Sequence, residues 1–184
     1  MGKKIGLDLD GVLYPFSTVC FDIIKEKHGY KFDEIEFWSR TYRSNRFKGK
    51  HSKEVDAIVY NPNTYIIQMM LTKDVLILRN LEAMGNELFY ITARRNHLQP
   101  VTDLWLRASG APFVENLYVG YKHKTELIKE LNIDVYVDDR INIVEDALAV
   151  TDAYLFHAPY LTDEVILDSG LPYISTLNSL LLLE

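Results

Sequence analysis

Two short apolar runs in this 184-residue chain end in paired aspartates, and that arrangement limits the folds open to it. Residues 3–9 alternate in the manner of a strand and run into Asp8-Leu9-Asp10-Gly11. Residues 133–138 form a second such run, which ends at Asp138-Asp139. A strand buried on both faces is nearly all apolar, because a buried carboxylate needs a partner. Aspartates are therefore expected just where such strands emerge from a sheet.

Three further runs read as strands: about 87–92, 116–119 and 153–156. Helical patterns separate them. Residues 75–84 set Val75, Leu78, Leu81 and Ala83 on a stripe, with Gly85 as the stop. Residues 99–109 carry Val101, Leu104, Trp105 and Ala108, with Gly110 following. Residues 124–131 carry Leu127, Ile128 and Leu131, and residues 141–149 carry Ile141, Val144, Ala147 and Leu148. Strand–helix alternation predicts an α/β fold: a Rossmann-like parallel sheet flanked by helices. No strand is evident between Pro15 and the helix at 75–84. That stretch, residues 15–73, reads as a small helical cap inserted after the first strand, over a core of residues 1–14 and 74–184.

Composition narrows the class. Apolar residues make up 48% of the chain, which suits a globular domain. No apolar run approaches the length of a membrane span. The stretch before Asp8 does not resemble a signal peptide, whose apolar region runs about 7–15 residues. A single cysteine, Cys20, leaves no intrachain disulfide, and the expected compartment is the cytoplasm. A net charge of −6 argues against stable nucleic-acid binding over the whole surface, while leaving room for a local basic patch.

In open parallel sheets, ligands sit beyond the carboxyl ends of the strands. Three of those ends are polar here: Asp8 to Gly11, Thr92-Ala93-Arg94, and Asp138-Asp139-Arg140. Any one aspartate can be a turn former or helix cap. Four at matching ends repel one another unless a cation sits among them. Mg²⁺, a hard ion with oxygen ligands, answers that need. Asp8 can then attack phosphorus as a nucleophile. Asp10, two residues on, can act as general acid and then general base. Gly11 lets the backbone approach a phosphate. Thr92 and the amides after it, beginning at Ala93, can donate to phosphate oxygens. A lysine is expected to balance the remaining charge.

These segments resemble the haloacid dehalogenase superfamily of phosphatases. Asp8-Leu9-Asp10-Gly11-Val12-Leu13 is similar to its first motif, and Phe89-Tyr90-Ile91-Thr92 to its second. Val135-Tyr136-Val137-Asp138-Asp139 is similar to its fourth. The third motif is a lysine, for which Lys124 is the choice and Lys122 the runner-up. The resemblance implies an aspartyl-phosphate on Asp8 and a metal site drawn from Asp8, Asp10, Asp138 and Asp139. In that site Asp10 gives its main-chain carbonyl, Asp139 binds directly and Asp138 binds through water. Retention of Asp10 implies phosphate ester cleavage rather than dehalogenation. One departure stands out: many members carry Asp or Asn four residues beyond the second acid, where this chain has Ile143, with Asn142 one residue short.

For the substrate, Ile91 to Arg94, Trp105-Leu106 and Ile133 to Arg140 are similar to the 5′(3′)-deoxyribonucleotidase branch. This implies a small phosphorylated substrate, a nucleoside monophosphate. Residues 37–53 add Arg40, Arg43, Arg46, Lys48, Lys50 and Lys53 without an acidic residue, interleaved with Phe37, Trp38, Tyr42 and Phe47. Aromatics can stack a base and arginines can hold phosphate, so Arg43 and Arg46 join Arg94 as candidate substrate contacts. The bland alternative is a solvated cap helix whose aromatics face its own core. A polynucleotide end, a sugar phosphate or a cofactor phosphate are the alternative substrates. A non-catalytic phosphate-binding scaffold is the alternative from another class. Cys20 and Trp105 read as packing residues, Arg140 as a contact or a local ion pair, and His97 and His123 carry no assignment.

Overall fold

The computed structural model describes residues 2–29, 31, 33–43, 46–47 and 52–182; the side chains of 39–43, 46–47 and 52 lie outside that description. Six strands form one parallel sheet: β1 (Lys4–Leu7), β4 (Glu87–Thr92), β5 (Leu117–Val119), β6 (Val135–Asp138), β7 (Asp152–Phe156) and β8 (Tyr173–Ile174). Their spatial order is β5-β4-β1-β6-β7-β8. The chain thus winds outward from β1 through β4 to β5, then crosses to the other side of β1 at β6. The switch point lies between β4, β1 and β6, and ligand crevices of open α/β sheets form at such points.

Both faces of the sheet are covered, as the strand–helix alternation predicted. Ile5, Leu7, Leu88, Tyr90, Val135 and Val137 point to one face, against α4 (Thr72–Ala83) and α5 (Gln99–Ser109). Phe89, Ile91, Tyr136, Ala153 and Leu155 point to the other, against α6 (Thr125–Leu131), α7 (Ile141–Ala147) and α8 (Asp163–Ser169). The alternation of side chains along each strand makes this possible. Two expected stripes shift. Helix α4 buries Ile77, Leu78 and Leu81, with Ala83 exposed. Helix α5 buries Thr102, Trp105 and Leu106, with Leu104 exposed. In each case a neighbouring residue lies closer to the centre of the packed face.

Strand β8 and helix α8 were not expected. The helix had a signal: Thr162 caps it by accepting from the Val165 amide at 3.3 Å, Asp163 and Glu164 occupy the first turn, and Gly170 ends it in the left-handed region at φ 65°. Strand β8, at two residues on the sheet edge, is too short to show a period.

Between β1 and α4 come α1 (Phe16–His28), α2 (Glu34–Thr41), the antiparallel pair β2 (Tyr42–Arg43) and β3 (Arg46–Phe47), α3 (Ser52–Tyr60) and a 3₁₀ turn, Pro62–Ile66. The stretch was read as helical and irregular, so the antiparallel strand pair is a difference. Helices α1–α3 build an apolar cluster of their own from Cys20, Phe21, Ile24, Phe37, Trp38, Val55 and Ile58. Tyr65 and Met70, by contrast, pack into the main core beneath the sheet. Helices α1–α3 therefore share a small core, and the chain returns to the main one before α4. No helix among the described residues is long and apolar enough to cross a membrane.

Candidate active site

Register brings the aspartates together. Leu7 pairs with Val137 across β1 and β6, and the Asp8 amide donates to the Val137 carbonyl at 2.9 Å. One residue further on, Asp8 lies beside Asp138. Strand β4 flanks β1 on the opposite side and ends at Thr92. Asp8, Asp138 and Asp139 are all buried, and each offers an oxygen within 4.8 Å of the others.

Lys124 enters this cluster from the start of α6. Its Nζ lies 2.9 Å from Asp8 Oδ1 and 2.7 Å from Asp138 Oδ2, and its side chain is almost wholly buried. Burial works against the ammonium, but Asp138 and Asp8 outweigh it and raise its pKa. Lys122 is exposed, so the geometry favours Lys124 of the two sequence candidates. Asp138 is held by three donors: Lys124, the Tyr136 hydroxyl at 2.8 Å and the Arg140 amide at 3.0 Å. Gly6 makes room for this, since a Cβ there would sit 2.8 Å from the Tyr136 ring. Asp139 accepts at Oδ2 from the Tyr160 hydroxyl at 2.9 Å. Neither tyrosine was singled out from the sequence. Tyr136, two residues before Asp138 on one strand, was within reach of period-2 reasoning; Tyr160, from the loop after β7, was not.

Three buried carboxylates against one lysine leave excess negative charge. Burial is the main cause that lifts the Asp8 carboxyl to about 7; Lys124 opposes it, while Asp138 and Asp10 add to it. Asp139 is pushed well above the usual carboxylate range, first by burial and then by Asp138 and Asp8. Such a donor set, all oxygen and short of positive charge, fits a hard divalent cation such as Mg²⁺.

The loop after β1 turns tightly. Leu13 and Tyr14 donate to the Leu9 carbonyl at 2.9 and 2.7 Å, and Gly11 donates to Tyr14 at 2.8 Å. Gly11 has φ 92°, and a Cβ there would lie 1.7 Å from Asp139 Oδ2. Its expected role was close approach to phosphate; what packs against it is the Asp139 carboxylate. Gly11→Ala is accordingly expected to lose about 1–3 kcal/mol from backbone strain alone. It should also displace Asp139, read as a lower denaturation midpoint and weaker Mg²⁺ binding.

Thr92 is buried, and its Oγ1 accepts from the Arg94 amide at 3.2 Å, which leaves its own O–H to donate elsewhere. Ala93, between them, is partly exposed. The Thr92 carbonyl accepts from the Gly120 and Tyr121 amides, both at 3.1 Å, so the loop after β5 is tied to the same strand end. Arg94 was read as a substrate contact; in the structure its side chain is 0% exposed and is turned onto Asp10, whose side chain is 25% exposed. The reason is local: Tyr14, Tyr65 and Trp105 enclose the guanidinium, and Asp10 is its charge partner.

In the basic stretch, Phe37 and Trp38 are buried in the α1–α3 cluster and so face the segment's own core rather than a base. The side chains of Arg43 and Arg46 lie outside the described residues, as do Lys48 and Lys50. Cys20 and Trp105 are packing residues, as read. His97 lies against the Tyr60 ring, and His123 is exposed.

No protein-family model matches the chain. A protein of Oceanobacillus iheyensis described as a "Putative nucleotidase" is 30% identical over 164 residues, covering 83% of this chain and 84% of the relative. A Bacillus subtilis protein of the same description is 32% identical, covering 91% of this chain and 86% of its own length. Among solved structures, a HAD family hydrolase from Deinococcus radiodurans, with bound phosphate and sodium, aligns with a TM-score of 0.63 at 16% identity, over 97% of this chain and 93% of that one. A "Putative Phosphatase" from Clostridium difficile gives 0.63 at 19% identity, over 94% and 93%. The structural likenesses speak to the fold, and the sequence relatives to the family. On these sequence relatives the chain belongs to a family of proteins described as "Putative nucleotidase", and its fold is that of the HAD-family hydrolases.

Proposed function

We propose that the chain is a Mg²⁺-dependent phosphatase that hydrolyses nucleoside monophosphates through an aspartyl-phosphate on Asp8. The observation that carries this reading is the Lys124 ammonium held between Asp8 and Asp138, with Asp139 completing a buried carboxylate triad. Lys124 orients Asp8 and balances part of its charge. When bound by Asp8, Asp139 and the Asp10 carbonyl, Mg²⁺ would offset the charge on the incoming phosphate. The three protein donors on Asp138 support its role outside the direct ligand set.

An Asp8 oxygen forms the new bond to phosphorus, while the ester oxygen leaves with a proton from Asp10. Asp10, now a carboxylate, takes a proton from water as that water attacks phosphorus and the Asp8–phosphorus bond breaks. Thr92, with its O–H unspent, donates to a phosphate oxygen. In this reading the stretch 15–73 is a cap over the crevice, supported by the packing of Tyr160, which donates to Asp139, against that stretch's own apolar cluster. The nucleotide substrate is supported by the relatives described as nucleotidases. Arg43 and Arg46 remain candidate contacts to it.

A panel of nucleoside monophosphates, 5′- and 3′-phosphorylated oligonucleotides and sugar phosphates, compared by kcat/KM with Mg²⁺, tests the substrate. Nucleoside monophosphates are expected to lead. A clear lead for sugar phosphates would dispose of the nucleotide reading while leaving the phosphatase intact.

A further inference from the structure

Arg94 occupies an unusual position for a charged residue at an active-site strand end. Its Nε lies 3.1 Å from Asp10 Oδ1 and 3.0 Å from Oδ2, and one terminal nitrogen lies 2.6 Å from Oδ1. The other terminal nitrogen donates to Thr102 Oγ1 at 3.2 Å. Thr102 can accept there because its own proton goes to the Leu98 carbonyl at 2.8 Å. The guanidinium carbon is 4.2 Å from the Tyr65 ring centre, 5.3 Å from Tyr14 and 5.6 Å from Trp105. Those rings come from three parts of the chain: the inserted stretch, the loop after β1, and α5. They are pinned in turn, Tyr14 to the Thr64 carbonyl, Tyr65 to Val59 at 2.8 Å and Trp105 to Gln68 at 2.9 Å. A planar cation enclosed by aromatic rings has little freedom to turn.

We infer that Arg94 is a positioning residue: it fixes the plane of the Asp10 carboxyl so that Oδ2 is the oxygen that faces the leaving group. The two oxygens are not equivalent. Oδ1 takes two donors, Oδ2 only one, and the carboxyl stays partly open while the arginine is closed off. The two-point grip also sets the plane of the carboxyl, which an ammonium does not do. It further holds Asp10 against repulsion from the nearby Asp8. Because Tyr65 belongs to the inserted stretch, the seating of that stretch on the core and the aim of the proton donor are one packing unit.

The inference rests on the phosphatase reading and is separable from it by leaving-group dependence. Arg94→Met keeps length and apolar packing, and Arg94→Lys keeps charge without the fork. Each is compared with the parent chain on 4-nitrophenyl phosphate, whose leaving group departs without a proton, and on phenyl phosphate and a nucleoside monophosphate, whose leaving groups need one. Arg94→Met is expected to lose about 10²-fold in kcat/KM, which covers only the steps through formation of the phosphoenzyme, on the second pair, in line with general-acid contributions, and only a few-fold on the first. Arg94→Lys should show the same pattern more weakly. Added guanidinium ion should restore part of the loss in Arg94→Ala, and on the second pair only. Equal losses in kcat/KM on all three substrates, or none, would overturn the positioning role and leave the phosphatase standing. A parent chain inert toward every ester would overturn both.

Discussion

Asp8→Asn is expected to abolish the proposed Mg²⁺-dependent phosphate release while the fold persists, with kcat falling by roughly 10⁴-fold or more, the scale of nucleophile loss elsewhere. The amide keeps the shape of the side chain but cannot attack phosphorus. A variant with full activity would end the covalent mechanism. The same substitution has a second expected effect, on stability without metal. Asp8 has a pKa of about 7 in the folded protein, against 3.8 for the ordinary group. A carboxyl raised by folding binds its proton more tightly in the native state. Its ionisation therefore costs stability, beginning as pH rises past about 4 and complete above about 7. The Asn variant lacks that cost. In EDTA, the difference in unfolding free energy, variant minus parent, should rise with pH across that window. A flat difference would mean that Lys124 compensates Asp8 fully.

Lys124→Met has the second large effect, and it acts on both activity and folding. The ammonium lies within ion-pair distance of both Asp8 and Asp138. Removing one partner of a buried ion pair leaves uncompensated charge, at a cost of about 3–5 kcal/mol. Urea unfolding in EDTA should show that loss at pH 8, and a smaller one at pH 5, where the orphaned carboxyls can protonate. Mg²⁺ should restore more stability to the variant than to the parent chain, because the three carboxylates then have only the cation to neutralise them. Turnover should fall by about 10²–10³-fold, the scale for loss of one electrostatic stabiliser. A variant as stable as the parent in EDTA would remove Lys124 from the charge balance.

Much of the core was legible because its residues carry local signals. Five apolar runs became the expected strands, and Gly85 and Gly110 lie just past the ends of α4 and α5 with φ 85° and 81°. Exact faces were less legible: Leu104 fits a helical stripe by spacing, yet Leu106 is the one buried. A period of 3.6 constrains the width of a face, and its centre depends on what packs against it. The antiparallel pair β2–β3 and strand β8 escaped notice since two-residue strands are defined by their partners.

The aspartates at the ends of two apolar runs determined, by themselves, that two strands end in carboxylates and that the fold has to gather charge at one edge. Residue type and spacing suffice for that, because buried strands exclude charge along their length. Only the tertiary structure decided what each charge faces. Lys124 and Lys122 are two residues apart and alike in chemistry, and the start of α6 turns one inward and leaves the other exposed. Arg94 reads as a substrate contact from its place after Thr92, and three aromatic rings from distant parts of the chain turn it onto Asp10 instead. Tyr160 reaches Asp139 from 21 residues away along the chain. Side-chain direction at a strand end is set by packing across the sheet and from the inserted stretch, and contacts of that range leave no period in the sequence.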